Sequence, residues 1–355
     1  MKVIKIKDSE NRLTIIPEEP DDLFKLRRII EKEDNIIADT TRVIKLDKEF
    51  ARPDKGERIK VRINLEVEKI SFDNTIDRLK ISGIIIASNN DNIPKGLYHS
   101  IGIKINDNII LEKEKWNPDY VKLISSSSES KYLLISMDSE ETSIALLNGT
   151  NLKPSPNIYS GKSGKRYLNQ KNDIVMKIYF ESIKNSLEIY NGETETKVII
   201  FGPGETKRKF INYLKEKHEP YEKNITIIEG IETSGEDGFY TFLRSDTMKE
   251  ILSNSKIAMV STILDNVMSQ INKSEKKYAI GINEIKYADS LNAIDMLVYS
   301  DKVFLEIKED EFIKMLNDIE SKKNVRTFAT DSSTDIGLRI SALGGIIALL
   351  RFQVS

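Results

Sequence analysis

The sequence predicts a multidomain α+β protein: a small strand-rich barrel, then an α/β layer, then a compact α/β/α sandwich. Three observations carry this prediction. Residues 1–126 hold mostly period-two apolar alternation, interrupted by one helical pattern. Ser125-Ser-Ser-Ser-Glu-Ser130 is a polar, low-complexity stretch and reads as a linker. Beyond it strands alternate with helices, which implies an α/β arrangement. A chain of 355 residues is also too long for one ordinary core. The expected domains are 1–126, 127–250 and 251–355.

In the first domain, residues 3–7, 12–16, 36–46, 58–71, 76–88 and 102–111 are β-prone. Lys60-Val-Arg-Ile-Asn-Leu-Glu-Val67 shows the alternation most clearly. Leu23, Leu26, Ile29 and Ile30 have helical spacing. The second domain reads as strands at 132–137 and 143–147, a helix over 173–190, a strand at 198–201, a helix through His218 and a strand at 225–229. A polar stretch, Thr233-Ser-Gly-Glu-Asp-Gly238, precedes a helical run over 247–272, and the second boundary is placed near residue 250. The third domain reads as strand 277–280, helix 284–291, strand 296–299, helix 310–320, strand 326–328 and an apolar terminal segment.

Composition limits the function classes. Charged residues make up 31% and hydrophobic ones 39%, as in a globular protein, and the formal charge is −2. A nucleic-acid surface must therefore be a local patch. The absence of cysteine excludes disulfides and thiolate metal sites and fits a reducing, cytoplasmic setting. Met1-Lys-Val-Ile-Lys-Ile6 reads as a strand and not as a signal peptide. The apolar segment 336–350 is too short to span a bilayer and contains Arg339, so it reads as a core helix or strand.

The most informative stretch is Lys197-Val-Ile-Ile-Phe-Gly-Pro-Gly-Glu-Thr-Lys-Arg-Lys-Phe210. Its β-branched run reads as a buried parallel strand, its glycines as a turn and the remainder as a basic helix start. Such a turn presents backbone N–H groups at a positive helix end, where phosphates bind readily. Gly-Pro-Gly-x-Thr-Lys after such a strand resembles the central domain of the Pelota family, relatives of class-1 release factors. Three further pieces follow the same order. Ile16-Pro-Glu-Glu-Pro-Asp-Asp-Leu-Phe24 with Asp39-Thr-Thr-Arg-Val43 is similar to the family's N-terminal signature. Gly281-Ile-Asn-Glu-Ile-Lys-Tyr-Ala288 with Ala293-Ile-Asp-Met-Leu-Val298 resembles the C-terminal domain shared with release factors. The ending, Gly337-Leu-Arg-Ile-Ser-Ala-Leu-Gly-Gly-Ile-Ile-Ala-Leu-Leu-Arg-Phe352, is similar to the family's terminus.

The resemblance implies an Sm-like N-terminal barrel, a central RNase H-like α/β domain and a C-terminal sandwich like the kink-turn-binding ribosomal proteins. It implies an archaeal, monomeric ribosome-rescue factor in mRNA surveillance and no-go decay, which recognises stalled ribosomes by tRNA mimicry. The implied partners are the ribosomal A site with its rRNA and mRNA, a GTPase of the elongation-factor-1α type and an ABC-type recycling ATPase. Peptidyl-tRNA hydrolysis is not expected. The Gly-Gly-Gln of release factors is missing, and the chain's one Gly-Gly pair, Gly344-Gly345, is followed by Ile346 and reads as close packing.

Two readings of the acidic turn stand side by side. Glu18, Glu19, Asp21 and Asp22 fit a helix first turn, where carboxylates cap N–H groups and oppose the dipole. The resemblance implies a second activity class, a divalent-metal-dependent endoribonuclease, with these four as catalytic residues and Glu18 and Asp21 as ligands to Mg²⁺ or Mn²⁺. Whether the chain is an enzyme stays open at this point.

The expected RNA-binding residues fall in three groups. Arg52, Lys55, Arg58 and Lys60 surround a hairpin turn that the resemblance places in the decoding site and mRNA channel. Lys153, Lys162, Lys165 and Arg166 lie in an irregular, acid-free stretch with interleaved tyrosines. Lys207 and Arg208 open the basic helix. Gly161-Lys-Ser163 is no nucleotide loop, because Pro156 stands where its first glycine is required. His99, on an expected loop, and His218, at a helix end, read as surface or capping residues.

Overall fold

A computed structural model of the chain describes residues 1–5, 11–44, 57–72, 78–125, 131–161, 169–190, 196–217, 225–273, 276–322, 325–332 and 334–354. The chain forms two compact units. One comprises Met1–Ser128, Tyr299–Asp331 and Gly344–Ile346. The other comprises Glu129–Val298, Ser332–Leu343 and Ile347–Ser355. The result is a mixed α+β protein with three sheets among the described residues.

The first unit is built on strands β1 (Lys2–Lys5), β2 (Arg12–Ile16), β3 (Asn35–Ile44), β4 (Glu57–Phe72), β5 (Leu79–Ser88), β6 (Tyr98–Ile103) and β7 (Ile109–Glu112). Their order is β1-β2-β7-β3-β4-β5-β6, with every neighbouring pair antiparallel. The alternation read from residues 60–67 holds: Val61, Ile63, Leu65 and Val67 are buried. The sheet curls, because Thr40 on β3 meets His99 on β6 at 3.2 Å although two strands separate them in the sheet. Helix α1 (Pro20–Ile29) and helix α2 (Pro118–Ser125) cover the core. Leu23, Leu26, Ile29 and Ile30 enter it from α1, and Ile124 from α2. Each fully buried Leu or Ile contributes about 1.5–3 kcal/mol by leaving water.

Two expectations for this region are corrected. Residues 102–111 are not one strand, because Asn106 takes φ of 70° and the Asp107 side chain accepts from the Lys104 N–H at 2.7 Å, turning the chain between β6 and β7. His99 sits on β6 and not on a loop. The short helix α2 gave no clear sequence signal.

The second sheet contains β8 (Tyr132–Met137), β9 (Glu141–Asn148), β10 (Asn151–Pro154), β11 (Ile158–Tyr159), β12 (Lys197–Phe201) and β13 (Ile225–Ile227). Its path is β10-β9-β8-β12-β13, and β11 pairs with β9. The strand read as buried and parallel is so: β12 runs parallel to both β8 and β13. Leu133, Ile135, Val198 and Ile200 pack against α3 (Asn169–Leu187) and α4 (Thr206–Glu216) through Tyr179, Phe180, Phe210 and Leu214. The opposite face receives α5 (Gly235–Leu243), where Phe201 stacks on Phe242 with centroids 4.7 Å apart. The polar stretch at 233–238 leads into α5. Ser234 is the N-cap of α5, and Gly238 packs where an added Cβ would stand 2.0 Å from Ser136 Oγ.

The expected helical run over 247–272 is two helices, α6 (Asp246–Ile251) and α7 (Lys256–Lys273). Strands β14 (Tyr278–Ile280), β15 (Ile294–Ser300), β16 (Arg326–Thr330) and β17 (Ile346–Leu350) form the third sheet in the order β14-β17-β15-β16. Helices α8 (Gly281–Ser290), α9 (Glu309–Ser321) and α10 (Asp335–Ala342) accompany it. Gly345 has φ of 75°, and a Cβ there would stand 2.8 Å from the Val303 amide nitrogen, so the second glycine of the pair does serve close packing. Among the described residues no helix is long and apolar enough to cross a membrane.

Candidate functional site

The acidic turn before α1 is occupied by structural tasks. The Asp22 side chain is fully buried and lies 2.7 Å from the α-ammonium of Met1. It also accepts from the backbone N–H groups of Glu18 at 2.9 Å and Glu19 at 3.2 Å. Glu18 is 3.3 Å from the same ammonium, and Glu19, the N-cap residue, is buried. Asp21 and Asp22 stand in the first turn, where a carboxylate opposes the helix dipole. Among the described residues no three Asp, Glu or His side chains gather into a metal-holding group. The geometry thus supports the capping reading and lends none to a nuclease centre at Glu18, Glu19, Asp21 and Asp22.

An open polar concavity lies on the first sheet. Strand pairing places Lys60 opposite Thr41 and Arg62 opposite Asp39 on one outer face, since directly opposed residues share a face. Arg58 and Lys60 are exposed on this strand. The groove has a volume of about 720 Å³ and is lined by Thr40, Thr41, Lys60, Arg62, Arg78, Asn89 and Ser100 among others. Asn89 is tied to β4 by two bonds: its Oδ1 accepts from the Arg62 N–H at 2.9 Å, and its N–H donates to the Arg62 carbonyl at 3.1 Å. The Arg78 stem crosses Gly102, where a Cβ would stand 2.8 Å from Arg78 Cδ. Asp39 is the groove's acidic lining residue, 3.7 Å from Arg62. Three cations with hydroxyl and amide donors suit phosphodiester oxygens, without base specificity.

His99 on β6 and Arg42 on β3 are half-buried and interact electrostatically. Burial, and secondarily the charge of Arg42, depress the His99 pKa, which keeps the ring neutral at neutral pH. Arg42 Nη1 is buried with no hydrogen-bond partner among the described groups. Lys60 is an expected binding residue, whereas Arg62, Arg78 and Asn89 join it only in the folded structure. The period-two continuation of cations from Arg58 to Arg62 was the available signal for one of them.

The Gly202-Pro203-Gly204 turn corrects one expectation. Lys207 is 3% exposed, and its ammonium donates to the carbonyls of Gly202 and Gly204, each at 2.8 Å, while pairing with Glu229 at 2.9 Å. It is a turn clamp and not an RNA-facing cation. Its neighbour Arg208 is exposed and paired with Glu229 at 3.0 Å. Hydrogen bonds from Lys207 and Arg208 hold the Glu229 carboxyl below the usual range. Lys153 is exposed on β10, as is Tyr159 on β11. Arg52, Lys55, Lys162, Lys165, Arg166 and His218 lie outside the described residues.

Comparison with known proteins agrees with this architecture. A family model of the Pelota N-terminal domain matches residues 1–128, and one of eRF1 domain 3 matches residues 257–354. The protein pelota homolog of Nitrosopumilus maritimus is 46% identical over 346 residues, covering 97% of each chain. The homolog of Cenarchaeum symbiosum is 36% identical over 349 residues, covering 98% of each. The crystal structure of the Thermoplasma acidophilum Pelota protein shares the fold, with a TM-score of 0.62 at 24% identity over 100% of both chains. The chain belongs to the Pelota family, relatives of class-1 release factors.

Proposed function

We propose that this protein is a ribosome-rescue factor, which recognises stalled ribosomes by tRNA mimicry and promotes their dissociation without hydrolysing peptidyl-tRNA. Its work is shape and phosphate complementarity. The N-terminal domain, residues 1–126, probes the decoding site. The central domain, 127–250, follows the tRNA path. The third, 251–355, together with the central one, engages a GTPase of the elongation-factor-1α type before an ABC-type ATPase acts. Family membership supports the GTPase, the ATPase and the cytoplasmic setting.

The observation that carries the RNA-facing part is the groove of Lys60, Arg62 and Arg78 on the first sheet, with Asp39 as its acidic lining residue. Arg58 extends the same strand face, and Arg52 and Lys55 adjoin it in sequence. Lys153, Lys162, Lys165, Arg166 and Arg208 supply the central domain's phosphate contacts in this reading. Co-sedimentation with ribosomes across a salt series tests it. The triple variant Lys60→Ala, Arg62→Ala, Arg78→Ala should flatten the slope of log affinity against log salt by roughly 0.7–0.9 per lost phosphate contact. An unchanged slope removes the groove from the interface.

A further inference from the structure

Strand β6 turns one aromatic ring outward beside the cationic groove. Ile101 and Ile103 are each 1% exposed and belong to the barrel core. Period-two alternation therefore puts Tyr98, Ser100 and Gly102 on the opposite, outer face. Ser100 and Gly102 already line the groove. Tyr98 continues their row by one step of two residues, about 7 Å, and is 56% exposed. Strand β5 fills out the same face. Its register sets Lys80 opposite Gly102, Ser82 opposite Ser100 and Ile84 opposite Tyr98. Lys80 is exposed, the Ser82 and Ser100 hydroxyls are 2.7 Å apart, and Ile84 is half-buried. The Arg78 stem crosses Gly102, which has no side chain to block it. Along β6 the outer face thus changes from cations at Gly102, through a hydroxyl pair, to a ring beside an aliphatic side chain. Four residues separate its ends (102 minus 98), about 14 Å.

A lone exposed ring is ordinary on a protein surface. This one differs by standing in line with cations that suit phosphates. Guanidinium and ammonium groups hold the phosphates of a nucleic acid, whereas an aromatic ring stacks on the π-face of a base. Only an unpaired strand offers both together, because a base in a double helix is held in its own stack. A duplex would use the cations and leave Tyr98 idle. We propose that this groove takes single-stranded RNA, with phosphates at Lys60, Arg62 and Arg78 and an unpaired base stacked on the Tyr98 ring. The inference deepens the reading of the groove as a ribosome-facing site and rests on it.

The test titrates the full protein into three fluorescein-labelled probes at low salt and follows anisotropy. They are an oligoadenylate of about eight nucleotides, an abasic strand with the same phosphates, and an RNA duplex of the same length. Tyr98→Leu keeps an apolar side chain opposite Ile84 but removes the π-face. It should weaken oligoadenylate binding about five- to a hundredfold, with the log–log salt slope kept. Binding of the abasic strand and of the duplex should not change. Tyr98→Phe should bind as the wild type does. Tyr98→Trp gives a readout that does not depend on the leucine variant folding: oligoadenylate should quench the added indole emission, and the abasic strand should not. Unchanged oligoadenylate affinity in Tyr98→Leu overturns the proposal. So does an equal loss for the abasic strand, an unquenched indole, or a wild-type protein that ignores oligoadenylate. Weaker ribosome co-sedimentation of Tyr98→Leu at unchanged oligoadenylate affinity also overturns it, and assigns the ring to a protein contact. If the Lys60, Arg62 and Arg78 triple variant still flattens the ribosome salt slope, such results remove the base contact alone; if that slope is unchanged, the functional reading of the groove fails beneath it.

Discussion

The rings of Phe24 and Tyr299 meet edge to face, with centroids 5.3 Å apart and planes at 83°. Both are buried, and both touch Phe304 or Phe312 in one aromatic cluster. Residues 275 positions apart thus share a small core (299 minus 24). Burial drives the Tyr299 phenol pKa upward, so it stays neutral well into the alkaline range. Phe24→Ala should cost about 3–5 kcal/mol, because a buried aromatic leaves a cavity that packed neighbours fill only in part. Denaturant unfolding followed by the fluorescence of Trp116, which packs on the barrel core, reads this loss. A change under about 1 kcal/mol would mean that the cluster collapses freely onto the smaller side chain.

The Gly-Pro-Gly turn makes a contrasting pair of predictions. At Gly202, φ is 130° and an added Cβ would stand 2.1 Å from the Met137 carbonyl oxygen. Gly202→Ala should therefore destabilise by about 3 kcal/mol or more, since backbone cannot retreat as a side chain does. At Gly204, φ is 69° and nothing lies within 4 Å of the added atom. Gly204→Ala should cost only the left-handed penalty, about 1–2 kcal/mol. Equal losses in thermal unfolding would contradict the close approach at Gly202.

Lys207 separates structure from binding. Lys207→Met keeps the stem but strips two turn carbonyls and Glu229 of their ammonium partner. A loss of about 1–3 kcal/mol is expected, the cost of leaving buried acceptors unmet. Ribosome affinity should keep its salt slope. A slope reduced by roughly 0.7–0.9 would show that this lysine reaches a phosphate after all.

An alkaline transition is expected from the first unit. Lys113, 2% exposed, donates to Asp34 at 2.6 Å and to Glu31 at 3.0 Å, and Tyr120 donates to Glu31 at 3.0 Å. Burial first, then the Glu31 hydrogen bond, push the Tyr120 pKa from 10.0 up to about 12. Because the folded value is the higher one, the neutral phenol's contribution is whole below about pH 10 and fades as pH rises towards 12. The loss should be partial, as Tyr120 is largely open to solvent screening. Stability measured across this window should fall less steeply in Tyr120→Phe than in the wild type. Parallel curves would exclude Tyr120 as the titrating group.

Local patterns carried most of the architecture. Alternation in residues 60–67 told which side of β4 is buried, because side-chain direction in a strand follows from position alone. The β-branched run ending at Gly202-Pro203-Gly204 announced a parallel strand, a turn and a helix for the same kind of reason: backbone preference is intrinsic to each residue. Four motifs in order also carried the family. What a charged side chain does was not legible in this way. Lys207 and Arg208 are neighbours of the same sign, yet one clamps a turn and the other faces solvent. Arg27 and Arg28 look like ordinary helix-end cations, and only the approach of Glu309 and Glu320 gives them partners. Arg78 joins Lys60 because Gly102 leaves room for its stem. Secondary structure is set over a few residues, so it can be read from the chain. Electrostatic partnership depends on which distant segment folds to within about 4 Å, and that distance exists only in three dimensions.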